Sequence, residues 1–215
     1  IGGGKADRIQ GGGGADDLRG SGGPDTIGGG PGNDLCAGGP GNNQLSSCNE
    51  MTSFTAGQYR VGVDIAPGRY QFRNATAGCF WERLSGFSGE LSDTLANDFQ
   101  PHDGPAVIDI LAGDRGFEFD ADCGTLRRYR APNRQATTFG PGGYVVGADI
   151  RPGTYTAQAD DGCFWRRSTG FTNEFRETIA NDFVQDGGQV VVSILASDAG
   201  FYADGDCGTW SRTGA

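Results

Sequence analysis

Near the start of the chain, oxygen-bearing side chains recur every nine residues: Asp7, Asp16, Asp25, Asp34 and Asn43. Cut after Ile1, residues 2–46 read GGGKADRIQ, GGGGADDLR, GSGGPDTIG, GGPGNDLCA and GGPGNNQLS, with no insertion or deletion. Two places after each of these side chains comes a residue of medium size: Ile9, Leu18, Ile27, Cys36 and Leu45. Glycine permits positive φ and close backbone approach, so the glycine-rich half of each phrase reads as a tight turn with carbonyls facing inward. Carbonyls and a few carboxylates suit calcium, a hard cation that takes 6–8 oxygens. The three residues left over in each phrase are too few for a free-standing strand and can pair only with the matching segment of another phrase. A flexible Gly-rich linker would not carry Asp every nine residues with an aliphatic two places later.

These phrases resemble the G-G-x-G-x-D-x-U-x nonapeptide of RTX, or haemolysin-type, calcium-binding proteins. The resemblance implies a parallel β-roll in which two nonapeptides make one turn. Repeats 1, 3 and 5 then stack on one side and repeats 2 and 4 on the other. Ions are expected between Asp7 and Asp25, between Asp25 and Asn43 and between Asp16 and Asp34, about three in all. Ile9, Ile27 and Leu45 would line one inner wall, Leu18 and Cys36 the other. That core is thin, the aspartates repel one another and glycine favours the unfolded chain, so the segment is expected to be disordered without calcium. Lys5 and Ser21 replace glycines. Asn43 brings an oxygen without charge, which should make the Asp25–Asn43 site the weakest.

The whole chain carries a formal charge of −10, which argues against nucleic acid and anionic membrane surfaces as partners. The longest apolar run, Val190 to Ala196, is strand length, so no membrane-spanning helix is expected. The chain begins at Ile1 in register with the repeats, as a processed or trimmed form would. Six cysteines fit an oxidising, secreted or cell-surface setting. Cys79 and Cys123 stand 44 apart, as do Cys163 and Cys207, and Cys36 and Cys48 flank the end of the roll. The duplicated spacing points to three bridges, Cys36–Cys48, Cys79–Cys123 and Cys163–Cys207. No CxxC or Cys/His pairing suggests a metal site instead.

The spacing recurs because the chain is duplicated. TSFTAGQYRVGVDIAPGRY (52–70) returns as TTFGPGGYVVGADIRPGTY (137–155), GCFWERLSGFSGELSDTLANDF (78–99) as 162–183, and ILAGDRGFEFDADCGTL (110–126) as 194–210. The chain is expected to divide into a calcium-binding β-roll over 1–48 and two modules over 49–133 and 134–215. Alternation at Val61, Val63 and Ile65, turns at Ala-Pro-Gly and Arg-Pro-Gly, and β-rich runs at Cys79–Leu84, Ala106–Leu111 and Gly116–Phe119 read as strands. Glu90–Phe99, with Leu91 and Leu95 four apart, could hold a helical turn. The expected fold class is all-β: a short N-terminal parallel β-roll followed by two tandem, duplicated, disulfide-bonded small antiparallel β-sandwich or barrel modules. The V-G-x-D-I-x-P-G-x-Y opening and C-G-T-W closing resemble small, often duplicated domains of secreted or lipid-anchored actinobacterial proteins, which implies an extracellular or cell-surface location.

Positions shared by the two copies serve a common fold or a common site. Trp81, Arg83, Asn97 and Asp98, with Trp165, Arg167, Asn181 and Asp182, form a candidate ligand patch for a surface polysaccharide or peptide. The competing reading makes the tryptophans core and pairs Arg83 with Glu90 or Asp98. An enzyme is not expected. His102 is the one histidine and has no counterpart in the second copy, HExxH and phosphate-loop motifs are missing, and a small hydrolase built on scattered carboxylates is the remotest reading. The first reading is a secreted calcium-binding structural or interaction protein, as a subunit of an extracellular fibre or layer whose modules dock on other protein subunits. A lectin-like or adhesin tandem module is the second.

Overall fold

The computed structural model describes residues 1–14, 16–31, 34–50 and 53–214. Ala15, Gly32 and Asn33 of the nonapeptides, and Thr52 at the start of the longer repeat, lie outside them. The chain packs as two compact units, Ile1–Gly68 with Glu82–Leu95 and Ile110–Glu118, and Arg69–Trp81 with Ala96–Asp109 and Phe119–Ala215.

The nonapeptides form a coil of short strands, β1 (Arg8–Gln10), β2 (Asp17–Arg19), β3 (Thr26–Gly28), β4 (Leu35–Ala37), β5 (Gln44–Ser46) and, beyond the repeats, β6 (Asn49–Glu50). They make two parallel sheets, β1-β3-β5 and β2-β4-β6. Ile9 pairs with Ile27 and Ile27 with Leu45, while Leu18 pairs with Cys36. Each step is two nonapeptides, so the aliphatic of every phrase meets its equivalent one turn on. Leu18, Ile27 and Cys36 are buried, with Ile9, Leu45 and Cys48 packed against them. Glycine makes this spacing possible. A Cβ on Gly30 would overlap the carbonyl oxygen of Gly12, and one on Gly39 that of Ser21. The Cys36–Cys48 bridge fastens β4 to the chain just before β6, closing the second wall.

Each duplicated stretch folds into two antiparallel four-stranded sheets. In the first copy β7 (Ser53–Phe54), β9 (Gly68–Ala75), β12 (Gly104–Ile110) and β14 (Leu126–Arg128) lie in the order β12-β9-β14-β7. β8 (Gly57–Arg60), β10 (Cys79–Leu84), β11 (Thr94–Gln100) and β13 (Gly116–Phe119) lie in the order β11-β10-β13-β8. The second copy repeats both orders. β15 (Thr138–Phe139), β17 (Gly153–Ala159), β20 (Gly188–Ile194) and β22 (Trp210–Gly214) form β20-β17-β22-β15. β16 (Gly142–Val145), β18 (Cys163–Ser168), β19 (Thr178–Val184) and β21 (Gly200–Ala203) form β19-β18-β21-β16. The Cys79–Cys123 and Cys163–Cys207 bridges are present, with Cα atoms 4.4 and 4.6 Å apart. Among the described residues no helix is long and apolar enough to cross a membrane.

Two local expectations change. Val61 to Ile65 is not a strand. The Asp64 carboxylate accepts the Arg60 N–H at 2.9 Å, and Gly62 takes φ 79°, so the alternating residues curl into a turn. Leu91 and Leu95 do not share a helical face. A 3₁₀ turn over Leu91–Asp93 leads into β11, and both leucines are exposed.

The core explains the shared Arg. Arg83 and Asp114 form a bidentate pair at 2.8 and 2.8 Å with side chains only 2 % exposed, and Arg167 meets Asp198 at 2.7 and 2.9 Å. Arg83 pairs with Asp114, 31 residues on. Removing one member of a buried pair strands the other, whereas exposed pairs contribute little. Arg83→Met is therefore expected to cost about 3 kcal/mol, while Arg60→Ala, at a 62 % exposed side chain, is expected to change stability far less. Urea midpoints of the two variants check the contrast.

Candidate metal centre

In the coil, Asp25 and Asp34 split their oxygens, and Asn43 repeats half of the pattern. Asp25 Oδ1 accepts the N–H of Asp7 at 2.9 Å, Asp34 Oδ1 that of Asp16 at 3.0 Å, and Asn43 Oδ1 that of Asp25 at 2.9 Å. One oxygen thus stitches successive turns together. The other is left over: Oδ2 of Asp16, Asp25 and Asp34 is buried without a hydrogen-bond donor, and Asp25 and Asp34 are each 1 % exposed. A buried carboxylate oxygen with no donor is costly, and a cation would supply the missing partner.

Glycine keeps space beside each orphan. Asp16 Oδ2 and the Gly29 carbonyl lie 2.6 and 2.5 Å from where a Cβ on Gly11 would stand. The same convergence joins Asp25 Oδ2 with Gly38 O at Gly20, and Asp34 Oδ2 with Ser47 O at Gly29. Each cradle therefore gathers a carboxylate and a carbonyl from the next turn, a donor set that fits calcium. Asp7 differs, because its Oδ2 takes the Gly3 N–H at 2.5 Å. Asn43 differs more. Its Nδ2 stands 2.6 Å from the Cβ position of Gly38 and donates to the Gly39 carbonyl at 2.6 Å, so a donor occupies the place of a ligand oxygen.

In the sequence-derived ligand patch the register sets Trp165 opposite Asp182, with Arg167 and Asn181 on the same two paired strands, β18 and β19. Trp81 is 3 % exposed and Trp165 stacks at 6.4 Å on Phe201. Arg83 and Arg167 are held in their ion pairs, Asn97, Asn181 and Asp182 are exposed, and Asp98 is half-buried. The bridged cysteines near Asp120 and Asp204 have no thiolate to offer a metal.

Two residues that the sequence did not single out, Arg69 and Asp109, meet Phe171 inside the second unit. Arg69 and Asp109 pair at 2.7 and 2.8 Å, and the Arg69 guanidinium sits 4.3 Å from the centre of the Phe171 ring. Asp109 N–H donates to Phe171 O at 2.9 Å, and Asn173 Nδ2 donates to Asn97 O at 2.5 Å. Asp149 takes the Val145 N–H at 2.8 Å and the Tyr129 hydroxyl at 3.0 Å. The available signal was difference between the copies, since Arg69 and Asp109 become Thr154 and Ser193.

A coil with orphan oxygens beside glycine cradles, ahead of two disulfide-closed β-modules, defines an extracellular calcium-binding protein. The chain belongs to the family of the Rv1352-like extracellular domain, whose model matches residues 51–126 and 136–211. The RTX calcium-binding nonapeptide repeat matches residues 1–27 and 10–45. Comparison with curated proteins and with solved structures finds no match.

The orphan geometry makes Asp25→Asn a test. The amide can still accept the Asp7 N–H, but it puts a donor in the cradle, as Asn43 does. Calorimetric titration is expected to show one fewer calcium ion and residual affinity lower by on the order of tenfold, and Asn43→Asp to strengthen binding.

Burial in the second unit raises the carboxyl pKa of Asp98, Asp149 and Asp204 above the ordinary value of 3.8. For these groups the folded state binds more protons than the unfolded state in the window from 3.8 up to the raised value. Their contribution to stability is fully present below that window and is lost as pH rises through the folded pKa. The urea midpoint of this unit is expected to rise as pH is lowered from neutral toward 3.8, read by tryptophan fluorescence.

Proposed function

We propose that this extracellular calcium-binding protein is a structural and interaction protein whose coil is set by calcium and whose modules make protein contacts. The observation that carries the reading is the trio of buried, unpartnered oxygens on Asp16, Asp25 and Asp34, to which we assign one ion each. Asp7 and Asn43 act as the ends of their column. Three medium residues buried in the coil give too little apolar area to offset the backbone entropy of some 46 residues, so metal binding supplies folding free energy. Millimolar extracellular calcium is enough for weak sites of this type.

Protein partners suit the modules better than a polysaccharide. The two copies expose the same apolar row, Leu91, Leu95 and Phe99 in one and Phe175, Ile179 and Phe183 in the other, with Leu91 93 % and Phe175 89 % exposed. Duplicated apolar rows are interaction surfaces, as expected for a subunit of an extracellular fibre or layer. Binding rather than catalysis is the proposed mode of action. The His102 ring is held between the Asp103 carbonyl and the Tyr202 hydroxyl, each at 3.1 Å.

Hydrogen exchange with and without a chelator tests the reading. Removing calcium is expected to abolish amide protection over residues 2–46 and leave protection in the disulfide-closed modules. Protection in the coil unchanged by a chelator and by added calcium would overturn it.

A further inference from the structure

The strand β20, Gly188–Ile194 with sequence GQVVVSI, is the open end of its sheet, paired with β17 and with no second neighbour among the described residues. It has no charge and no proline. Its inner side chains Val190, Val192 and Ile194 are buried, while Val191 is 59 % exposed. Proteins normally protect such an edge with a charge, a proline or a cover. The equivalent strand β12, GPAVIDI, has all three. It carries Pro105 and Asp109, Phe171 O takes its Asp109 N–H, and Pro141–Gly143 lies against Gly104–Val107 in the second unit.

We propose that β20 is the docking edge for a second copy of this chain, the two β20 strands pairing antiparallel about a twofold axis at Val191. The backbone decides the register. Asp109 N–H points outward from β12, so by equivalence Ser193 N–H points outward from β20, and with period two so do those of Val191 and Gln189. The second module gives the same phase independently. Arg212 N–H goes to Thr137 O, away from β17, which turns Tyr155, opposite both Arg212 and Val192, toward β20. Val192 therefore bonds inward and Val191 outward. An axis at Val191 pairs Val191 with its copy and Gln189 with Ser193, each exchanging N–H···O bonds in the narrow antiparallel pattern. No like charges face each other across that pairing.

Repeating the contacts seen in the second unit is the competing arrangement, and charge opposes it. A first module docking there would bring Glu82 and Glu118 where the second brings Arg166 and Tyr202, and would find Asp182 where Asp98 stands. A seven-residue edge buries less than the roughly 1,000 Å² of a standing interface, so pairing is expected at high-micromolar concentration and is favoured where copies are crowded on a surface.

This deepens the proposed interaction role by naming the partner, and it does not depend on the coil. Sedimentation equilibrium of the full chain, with calcium and again with a chelator, is expected to show reversible monomer–dimer behaviour in both. Val191→Pro removes only an outward N–H, leaves the β17 ladder intact and is expected to be monomeric. Val191→Lys and Val191→Glu are each expected to dimerise about tenfold more weakly, and their equimolar mixture to recover the wild-type mass. Monomer at all concentrations, association only with calcium, or no recovery in the mixture would each overturn the β20 pairing. The exchange measurement of the coil would be untouched by any of these results.

Discussion

An aspartate has two oxygens, and this chain repeatedly gives one to a nearby or stacked N–H and the other to something remote. Asp25 accepts the Asp7 N–H and leaves Oδ2 for a cation. Asp64 accepts the Arg60 N–H through Oδ2 while its Oδ1 meets Arg19 of the coil at 3.2 Å. Asp149, its equivalent, accepts the Val145 N–H and takes its second donor from Tyr129. Asp114 and Asp198 depart from this division: Oδ2 takes both the N–H three residues earlier, of Leu111 and Leu195, and the Nε–H of Arg83 or Arg167, while Oδ1 takes the second guanidinium N–H. In each case the backbone bond fixes where the carboxylate points, which lowers the entropy cost of the longer-range interaction. The remote partner differs with the setting: a metal where only carbonyls surround the oxygen, an arginine where the core must be closed, a neighbouring segment where two parts of the chain meet.

That division of labour explains what the sequence could and could not reveal. The coil was legible because period, oxygen and aliphatic recur together, and the walls Ile9–Ile27–Leu45 and Leu18–Cys36 follow once the turn length is known. The bridges were legible because duplication repeats a spacing of 44. β6 was not, since nothing in Asn49–Glu50 resembles a nonapeptide; it pairs with β4 in parallel, next to the Cys36–Cys48 bridge. The partner of Arg83 was hidden for a different reason. Glu90 and Asp98 were near in sequence, but the buried pair closes across 31 residues, a separation set by topology rather than by local pattern.

Comparing the two copies had a blind spot of its own. Some shared residues serve the interior, Trp81, Arg83, Asp114 and Asp198 buried and Trp165 and Arg167 partly so, while Asn97, Asn181 and Asp182 are exposed. What distinguishes the modules lies at the positions that differ. Arg69 and Asp109 form a charged cross-strand pair beside Phe171, while Thr154 and Ser193 at the same places pair without charge. Phe171 is 9 % exposed, and its equivalent Phe87 is 47 % exposed. Duplication supplied two identical scaffolds, and substitution at their edges made one of them a receiver.

The same asymmetry bears on how far an extracellular array of this chain could extend. A contact that is heterologous can repeat without limit, whereas a self-complementary one closes after two copies. Had the second module kept Arg69 and Asp109 equivalents, and the first kept Arg166 and Asn173 equivalents, each chain would carry a free plug and a free socket of matching charge. Instead Gly89 stands in for Asn173 and Glu82 for Arg166, which removes the amide that reaches Asn97 O and reverses the charge. The internal contact is thereby confined to the pair of modules that makes it. Under the proposed pairing, growth beyond two chains would have to use the coil end or the apolar rows around Phe99 and Phe183, surfaces that a twofold contact at Val191 would not consume.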